Sequence, residues 1–175
     1  MDDIDKRILK TLQLSGRKKN ADLARELGVA PSTMLERIRR LEEGGVVRGY
    51  RASLEPSMLG LTIQGFISIT LDHHRMEDLQ DFEDRIRKIP YVRACYNLTG
   101  RFDYLLHVAV RDLEQLSLLI KTQIASLPGV SRSESFLVLS EVKPDGGWPI
   151  EDELFIESLE NGQAKNQSES LKGGN

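Results

Sequence analysis

Residues 19–47 read KNADLARELGVAPSTMLERIRRLEEGGVV and decide the fold of the N-terminal part of the chain. Apolar residues recur at helical spacing on both sides of Gly28, which predicts a short helix, a tight turn and a longer helix. Gly28 suits the left-handed residue that closes a helix, and Pro31 suits the first turn of the next one. Asn20 is the expected N-cap of the shorter helix, whereas Ala30 is a weak N-cap for the longer one. The stretch therefore predicts a helix-turn-helix.

Each of these two helices is predicted to have one buried face. The shorter helix should bury Leu23, Ala24 and Leu27, and the longer helix should bury Met34, Leu35, Ile38 and Leu41. The second helix of a helix-turn-helix lies in the major groove of DNA. Its outer face here carries hydroxyl and guanidinium groups suited to phosphates and base edges, on Ser32, Thr33, Arg37, Arg39 and Arg40. The alternative is a solvated face whose arginines pair with Glu36, Glu42 and Glu43.

The flanking residues extend this prediction to a whole domain, residues 1–53. A first helix is marked by Ile4, Ile8, Leu9 and Leu12, with Asp2 or Asp3 as its N-cap. Residues 46–52 are expected to form two short strands around a glycine turn, a small wing. With the basic loop and Arg51 beside the groove, the predicted DNA contacts are Arg17, Lys18, Lys19, Ser32, Thr33, Arg37, Arg40 and Arg51.

Charge and composition fit a DNA-binding protein without a metal centre. Residues 1–60 contain 12 Lys and Arg against 9 Asp and Glu, whereas residues 144–175 contain 2 against 7. This gradient places any polyanion at the N-terminal end. No apolar run is long enough for a membrane span, and the N-terminus does not resemble a signal peptide. The single cysteine and three histidines offer no recognised metal-ligand spacing, so we expect a cytoplasmic protein without cofactors.

The C-terminal part changes from helical to mixed periodicity. Residues 54–62 contain Pro56 and Gly60 and are predicted to be a linker. Residues 63–143 alternate strands and helices in the order βαββαβ, which is the ferredoxin-like arrangement, so the fold class is α+β. The last strand is expected to run from Val130 to Val142. An acidic tail follows at 144–175, with a short amphipathic helix through Ile150, Leu154, Phe155 and Leu159 and then polar, disordered residues.

Two of the predicted strands are apolar on both faces. In one strand Phe136 and Val138 oppose Leu137 and Leu139, and in the other Tyr104, Leu106 and Val108 oppose Leu105 and Ala109. Helices cover only one face of a ferredoxin-like sheet, so the other face should be covered by the same sheet of a second copy. The sequence predicts a homodimer and leaves open whether dimers assemble further, for example into an octamer.

The sequence does not predict an enzyme. It offers no Ser-His-Asp or Cys-His arrangement and no phosphate-binding glycine loop. Cys95 lies on a predicted strand and is interpreted as a packing residue. Asp103 lies in the turn between two apolar strands, where it either caps backbone N–H groups or binds a ligand.

Three collinear stretches resemble the Lrp/AsnC (leucine-responsive and asparagine regulator, "feast/famine") family of transcription factors. They are DDIDKRILKTLQLSGRKKNADLARELGVAPSTMLERIRRLEEGGVVRGYRASLEP, TGRFDYLLHV and SLPGVSRSESFLVLSEVK, within residues 2–143. Ala30 replaces the small hydroxyl residue usual in the family. Arg101 replaces the acidic or amide residue that commonly follows the glycine.

The resemblance implies a sequence-specific regulator of transcription that binds double-stranded DNA and senses a small molecule, an amino acid in the usual case. The implied effector site lies between dimers and comprises Leu98, Thr99, Gly100, Asp103, Tyr104, Leu113, Phe136, Leu137 and Val138. Asp103 would accept from the ammonium group, the turn at Gly100 would donate to the carboxylate, and Leu113 or Phe136 would contact the side chain. Two alternatives stay open: a nucleoid-like architectural protein without an effector, and a metabolic enzyme with a related C-terminal module.

Overall fold

The computed structural model describes residues 1–72 and 75–150. The chain divides into two compact units. The first contains residues 1–52 and the segment that begins at Pro144, and the second is Ser53–Lys143. The tail helix predicted beyond Ile150 and the polar residues after it lie outside the described residues.

The described residues of the first unit form three helices: α1 (Asp3–Leu14), α2 (Asn20–Leu27) and α3 (Pro31–Glu43). A capping box begins α1, in which Asp2 and Asp5 each accept the other's backbone N–H. The helices share one apolar core of seven buried residues: Ile8, Leu9, Leu23, Ala24, Met34, Ile38 and Leu41. All seven lie at positions that the periodicity predicted. Leu27, which was also predicted to be buried, is partly buried against this core, and one residue is a clear exception.

The exception is Leu35, whose predicted burial is wrong. Leu35 is 58% exposed, because it lies about 100° around the helix from Met34 and therefore off the buried stripe. The N-cap prediction for Asn20 is also wrong. The backbone N–H groups of Asp22 and Leu23 donate to the carbonyl of Lys19, so Lys19 is the N-cap and Asn20 is the first helical residue.

The predicted wing is not formed by residues 46–52. This described segment contains no strand, and most of its residues are exposed. An isolated pair of such short strands is marginal in water, since it has no third strand or helix to pack against. Residues 1–52 of the described chain therefore form three helices followed by a segment without regular secondary structure.

The second unit is a four-stranded antiparallel sheet with the strand order β2-β3-β1-β4. Its elements, in chain order, are β1 (Ile63–Leu71), α4 (Met76–Ile86), β2 (Val92–Asn97), β3 (Tyr104–Val110), α5 (Leu113–Leu119) and β4 (Val130–Leu137). The last turn of α5 continues as a π-helix, Ile120–Ile124. This confirms the predicted βαββαβ order and the ferredoxin-like fold.

The two helices cover one face of the sheet. Alternate residues of β1 and β3 point into this side, and they pack with residues of α4 and α5 in a second core that includes Ile67, Ile69, Leu106, Phe82 and Leu119. The predicted extent of the last strand is too long. β4 ends at Leu137 because its neighbour β1 begins at Ile63, and the final contact is the N–H of Val138 with the carbonyl of Gln64 at 2.9 Å.

The opposite, helix-free face of the sheet carries apolar side chains that this chain leaves partly exposed. The rings of Phe66 and His107 stack with centroids 4.9 Å apart. Tyr96 is 53% exposed and Phe136 is 43% exposed. Apolar residues thus occupy both faces of the sheet, although the described residues cover only one of them.

The segment after the sheet packs on the first unit. The side-chain amide of Gln13 accepts from the backbone N–H of Trp148 at 2.5 Å and donates to its carbonyl at 3.0 Å. Ile150 contacts the apolar core of α1–α3. The described part of the predicted tail is therefore a constituent of the N-terminal unit.

Candidate functional site

The turn between α2 and α3 is closed by Gly28. Its φ of 67° and ψ of 33° lie in the left-handed region, where a glycine has no side-chain penalty. The N–H of Val29 donates to the carbonyl of Ala24 at 2.9 Å. Only three residues separate the helices, and the buried Leu23 and Met34 hold them together. This is the helix-turn-helix that the sequence predicted.

The outer face of α3 is exposed and polar. Ser32, Thr33 and Arg40 are all exposed. Ala30 gives no side-chain cap, and the first turn of α3 contains no acidic residue. The N–H groups at the start of α3 and the positive end of its dipole therefore meet no carboxylate from their own helix, which is the arrangement that favours a bound phosphate.

Arg37 is held inside the first unit. One of its terminal nitrogens, Nη1, donates to both carboxylate oxygens of Asp2 at 2.9 and 2.7 Å and to Oδ1 of Asp5 at 2.7 Å. The Arg37 side chain is only 20% exposed and that of Asp5 only 3%. The Nε atom of Arg37 is buried and has no hydrogen-bond partner among the described residues. The guanidinium group of Arg37, which was predicted to contact DNA, thus contacts the start of α1.

The charges in this group stabilise one another. Hydrogen bonds from the Asp5 backbone N–H and from Arg37 lower the pKa of Asp2. Burial alone would raise the pKa of Asp5, but the hydrogen bonds from Arg37 and from the Asp2 backbone outweigh it, so that pKa is lowered. The same bonds, to Asp2 and then Asp5, raise the pKa of Arg37. All three groups are therefore charged at neutral pH.

The other lysine and arginine side chains predicted to contact DNA differ in their exposure and in their ion pairs. Arg40 donates to Asp5 through one nitrogen at 3.0 Å, yet its side chain is 63% exposed. Lys18 pairs with Glu26 and is 28% exposed. Arg17, Lys19 and Arg51 are exposed. Four of the predicted DNA contacts are therefore accessible to DNA: Arg17, Lys19, Arg40 and Arg51. Lys18 is partly occupied by its ion pair with Glu26, and Arg37 is occupied by Asp2 and Asp5.

In the second unit, the turn between β2 and β3 contains the first group of predicted effector residues. The N–H of Leu98 donates to the carbonyl of Asp103 at 2.8 Å, and Oδ2 of Asp103 accepts from the N–H of Leu71 at 2.7 Å. The Asp103 carboxylate therefore caps a backbone N–H group, which is one of the two roles predicted for it from the sequence. Leu98, Thr99 and Gly100 are exposed around it.

Tyr104 faces the helices and not the surface of this turn. It is 1% exposed, and its hydroxyl donates to Oε1 of Glu83 at 3.1 Å. Burial, with the Glu83 carboxylate next, raises the pKa of Tyr104 to about 12. Tyr104 also lines a cavity of about 350 Å³ between α4 and β2, with Glu83, Arg87, Cys95 and Asn97. Cys95 is exposed on β2, so the structure does not support the packing role predicted for it. Partial burial beside the cavity raises the pKa of its thiol to about 11. The sequence pattern gave no sign of this cavity.

The second group of predicted effector residues lies at the other end of the sheet. Phe136 pairs with Phe66 near the start of β1, whereas Tyr104 pairs with Ile69 near its end. Leu113 begins α5, directly after the end of β3 that pairs with Ile63. Phe136, Leu137, Val138 and Leu113 are exposed by 43%, 47%, 37% and 58%. One chain therefore brings the predicted residues into two groups and not into one site.

Comparisons with known proteins match each unit to a family model. A winged helix-turn-helix DNA-binding model matches residues 1–48, and the Lrp/AsnC ligand binding domain matches residues 64–148. The leucine-responsive regulatory protein of Haemophilus influenzae is 36% identical over 143 residues, which cover 82% of this chain and 86% of the relative. The chain belongs to the Lrp/AsnC family.

Solved structures support the same assignment for this Lrp/AsnC protein. A transcriptional regulator from Neisseria meningitidis, solved in complex with L-Met, is 35% identical with a TM-score of 0.81, over 85% of this chain and 96% of that one. The AsnC structure from E. coli is 25% identical with a TM-score of 0.75, over 82% and 95%. The protein is thus a DNA-binding transcriptional regulator with a ligand-binding domain.

Two further findings concern the described residues only. No helix within residues 1–72 and 75–150 is long and apolar enough to cross a membrane. In the same residues, no three His, Cys, Asp or Glu side chains are grouped as a metal would require.

Proposed function

We propose that this Lrp/AsnC protein binds specific DNA sequences by inserting α3 into the major groove. The observation that carries this proposal is the exposed outer face of α3, with Ser32 and Thr33 at an uncapped helix start. Arg40 would contact the DNA from the same helix, and Arg17, Lys19 and Arg51 would hold the phosphate backbone. Lys18 would join them if it leaves Glu26. Such a regulator works beside the chromosome, which supports the predicted cytoplasmic location.

The dependence of DNA affinity on salt tests these contacts. Loss of one phosphate contact should reduce the slope of log affinity against log salt by about 0.9. We expect Arg40→Ala to show this reduction. Arg85→Ala is the matched control, because it removes the same charge from an exposed ion pair with Asp81 in the second unit. Equal slopes for Arg40→Ala and the wild type would remove Arg40 from the interface.

We further propose that two copies pair through the helix-free face of the sheet. The exposed apolar side chains on this face, including Tyr96 and Phe136, support this proposal. A dimer would present two α3 helices to successive major grooves, so its site should be roughly palindromic. Analytical ultracentrifugation of Leu105→Lys, a change on this face, should show monomer. The same change at Leu118, exposed on α5, should leave the dimer intact.

The proposed effector is an amino acid. A ligand-binding family model and a relative solved with L-Met support this proposal. Because Asp103 and Phe136 lie near opposite ends of one sheet, their joint use requires two copies, each contributing one group. Thermal-shift screening of the twenty amino acids should identify a ligand that raises the melting temperature by mass action.

Mixing variants tests whether the site is shared. Asp103→Asn and Phe136→Ala should each abolish the ligand-induced shift. Co-expressed in one cell, they should restore part of it, because some interfaces then combine an intact Asp103 with an intact Phe136. A shift that never recovers would contradict a shared site. Broad DNA binding without any ligand response would instead favour the architectural alternative, and turnover of amino-acid substrates would favour the enzyme.

A further inference from the structure

The start of α1 forms a rigid acidic group. The N–H of Asp5 donates to Oδ1 of Asp2 at 2.9 Å, and the N–H of Asp2 donates to Oδ2 of Asp5 at 3.2 Å. These reciprocal bonds fix both carboxylates relative to the axis of α1. Asp5 is the buried member, with a side chain 3% exposed, and Asp2 is half exposed at 53%.

Arg37 ties this group to α3. It makes three charged hydrogen bonds of 2.7–2.9 Å, and a charge-assisted bond of this length is among the strongest and most directional in proteins. The buried stripe of Met34, Ile38 and Leu41 determines which face of α3 turns toward the core. The hydrogen bonds of Arg37 add directional contacts with α1 that restrict the remaining rotation of α3 about its own axis.

We propose that Asp5, acting through Arg37, is a positioning residue that determines the DNA-sequence specificity of α3 without touching DNA. This inference rests on the proposed insertion of α3 into the major groove. Arg37 lies four residues after Thr33, about one helical turn. A rotation of α3 would therefore redirect the Ser32 and Thr33 side chains away from the base edges that they read. Asp5 also orients Arg40, through bonds of 3.0 and 3.3 Å.

The negative charge of Asp5 affects DNA affinity in the opposite direction to its positioning role, and this difference makes the proposal testable. Its carboxylate lies within 3.0 Å of two arginines on the DNA-reading helix. Removing that negative charge strengthens the general attraction of the unit for phosphate, which is independent of sequence. A positioning role predicts weaker binding to the operator, whereas a charge effect alone predicts stronger binding to every DNA.

The experiment compares Asp5→Asn with Asp3→Asn in the full chain. Both remove one negative charge from the start of α1, but the side chain of Asp3 is 77% exposed and pairs with Lys6 at 3.7 Å and not with Arg37. Each variant is titrated by fluorescence anisotropy against an operator obtained by selection with the wild type and against a scrambled duplex. Asp5→Asn should lower the ratio of operator to scrambled affinity roughly tenfold, the cost of about one wrong base pair. Asp3→Asn should keep the ratio within about twofold, as expected for an exposed ion pair.

A second variant decides the question if Asp5→Asn does not fold. Arg37→Lys keeps the charge but loses the planar fork, and it should lower the affinity ratio while the salt slope stays that of the wild type. Arg37→Gln removes the charge, and its salt slope should also equal that of the wild type; a slope reduced by about 0.9 would mean that Arg37 itself contacts phosphate and would overturn the proposal. An unchanged affinity ratio in Asp5→Asn and in Arg37→Lys would also overturn it. A wild type that selects no operator would overturn the proposed function together with this inference.

Discussion

Replacing Gly65 by alanine should loosen the contact between β1 and β4. A Cβ atom on Gly65 would lie 2.8 Å from the carbonyl oxygen of Phe136, where ordinary van der Waals contacts begin at about 3.4 Å. The obstacle is backbone and not a flexible side chain, so one strand must move by about half an ångström. Since β4 is an edge strand, it is the strand that can retreat, and it carries Phe136 and Val138 with it.

The expected loss of stability is modest. Forcing an extra methyl group into a packed site costs about 1–3 kcal/mol. Alanine recovers about 0.4–1 kcal/mol by restricting the unfolded chain. The net loss should be about 1 kcal/mol, which lowers the melting temperature of a domain this size by about 4–8 °C. Gly146→Ala is the control, because its Cβ would meet no atom within 4 Å.

Thermal unfolding followed by circular dichroism, at fixed protein concentration, measures the difference. We also expect faster hydrogen exchange at the Val138 N–H, which bonds to the Gln64 carbonyl at 2.9 Å in the wild type. If Phe136 contributes to the effector site, the displaced strand should weaken the ligand-induced shift as well. A Gly65→Ala variant with wild-type melting temperature and wild-type exchange at Val138 would refute the steric reasoning.

Two further predictions concern the helical unit. Met34→Ala should lower the free energy of unfolding by about 2–5 kcal/mol because it opens a cavity in the core, whereas Leu35→Ala should change it by less than about 0.5 kcal/mol. Denaturant titrations measure both values, and equal losses of stability would contradict the difference in burial. The pKa of Asp5 is lowered in the folded state from its ordinary value of 3.8. Its contribution to stability is therefore present above about pH 4 and lost as the pH falls through the lowered pKa, so acid unfolding should be less steep in Asp5→Asn than in the wild type.

Features set by neighbouring residues were predictable from the sequence. The aspartate N-cap of α1, the left-handed Gly28 and Pro31 at the start of α3 each depend on contacts within one or two helical turns. The alternation of β1 and β3 likewise identified the sheet, because burial on a strand repeats every second residue. The burial of Leu35 was predicted wrongly because consecutive apolar residues in a helical sequence do not show how wide the buried face of the helix is.

Features that depend on distant residues were not predictable. Arg37 and Asp5 are 32 residues apart, and only the folded unit shows that their side chains meet. An arginine on an outer helical face has the same appearance in sequence whether it binds phosphate or a carboxylate of its own chain. The wing failed for a related reason, since a strand is defined by its partner and residues 46–52 have none in the described chain.

The bond between Gln13 and Trp148 closes a loop of 135 residues around the entire ligand-binding unit. That unit is consequently an insertion within the DNA-binding unit and is joined to it by chain crossings on both sides. A protease cut in residues 54–62 should leave two fragments that co-purify, because residues 144–150 still attach the second unit to α1. Although Trp148 and Ile150 are far from α3 in sequence, deleting them should lower the stability of the first unit, which contains α3.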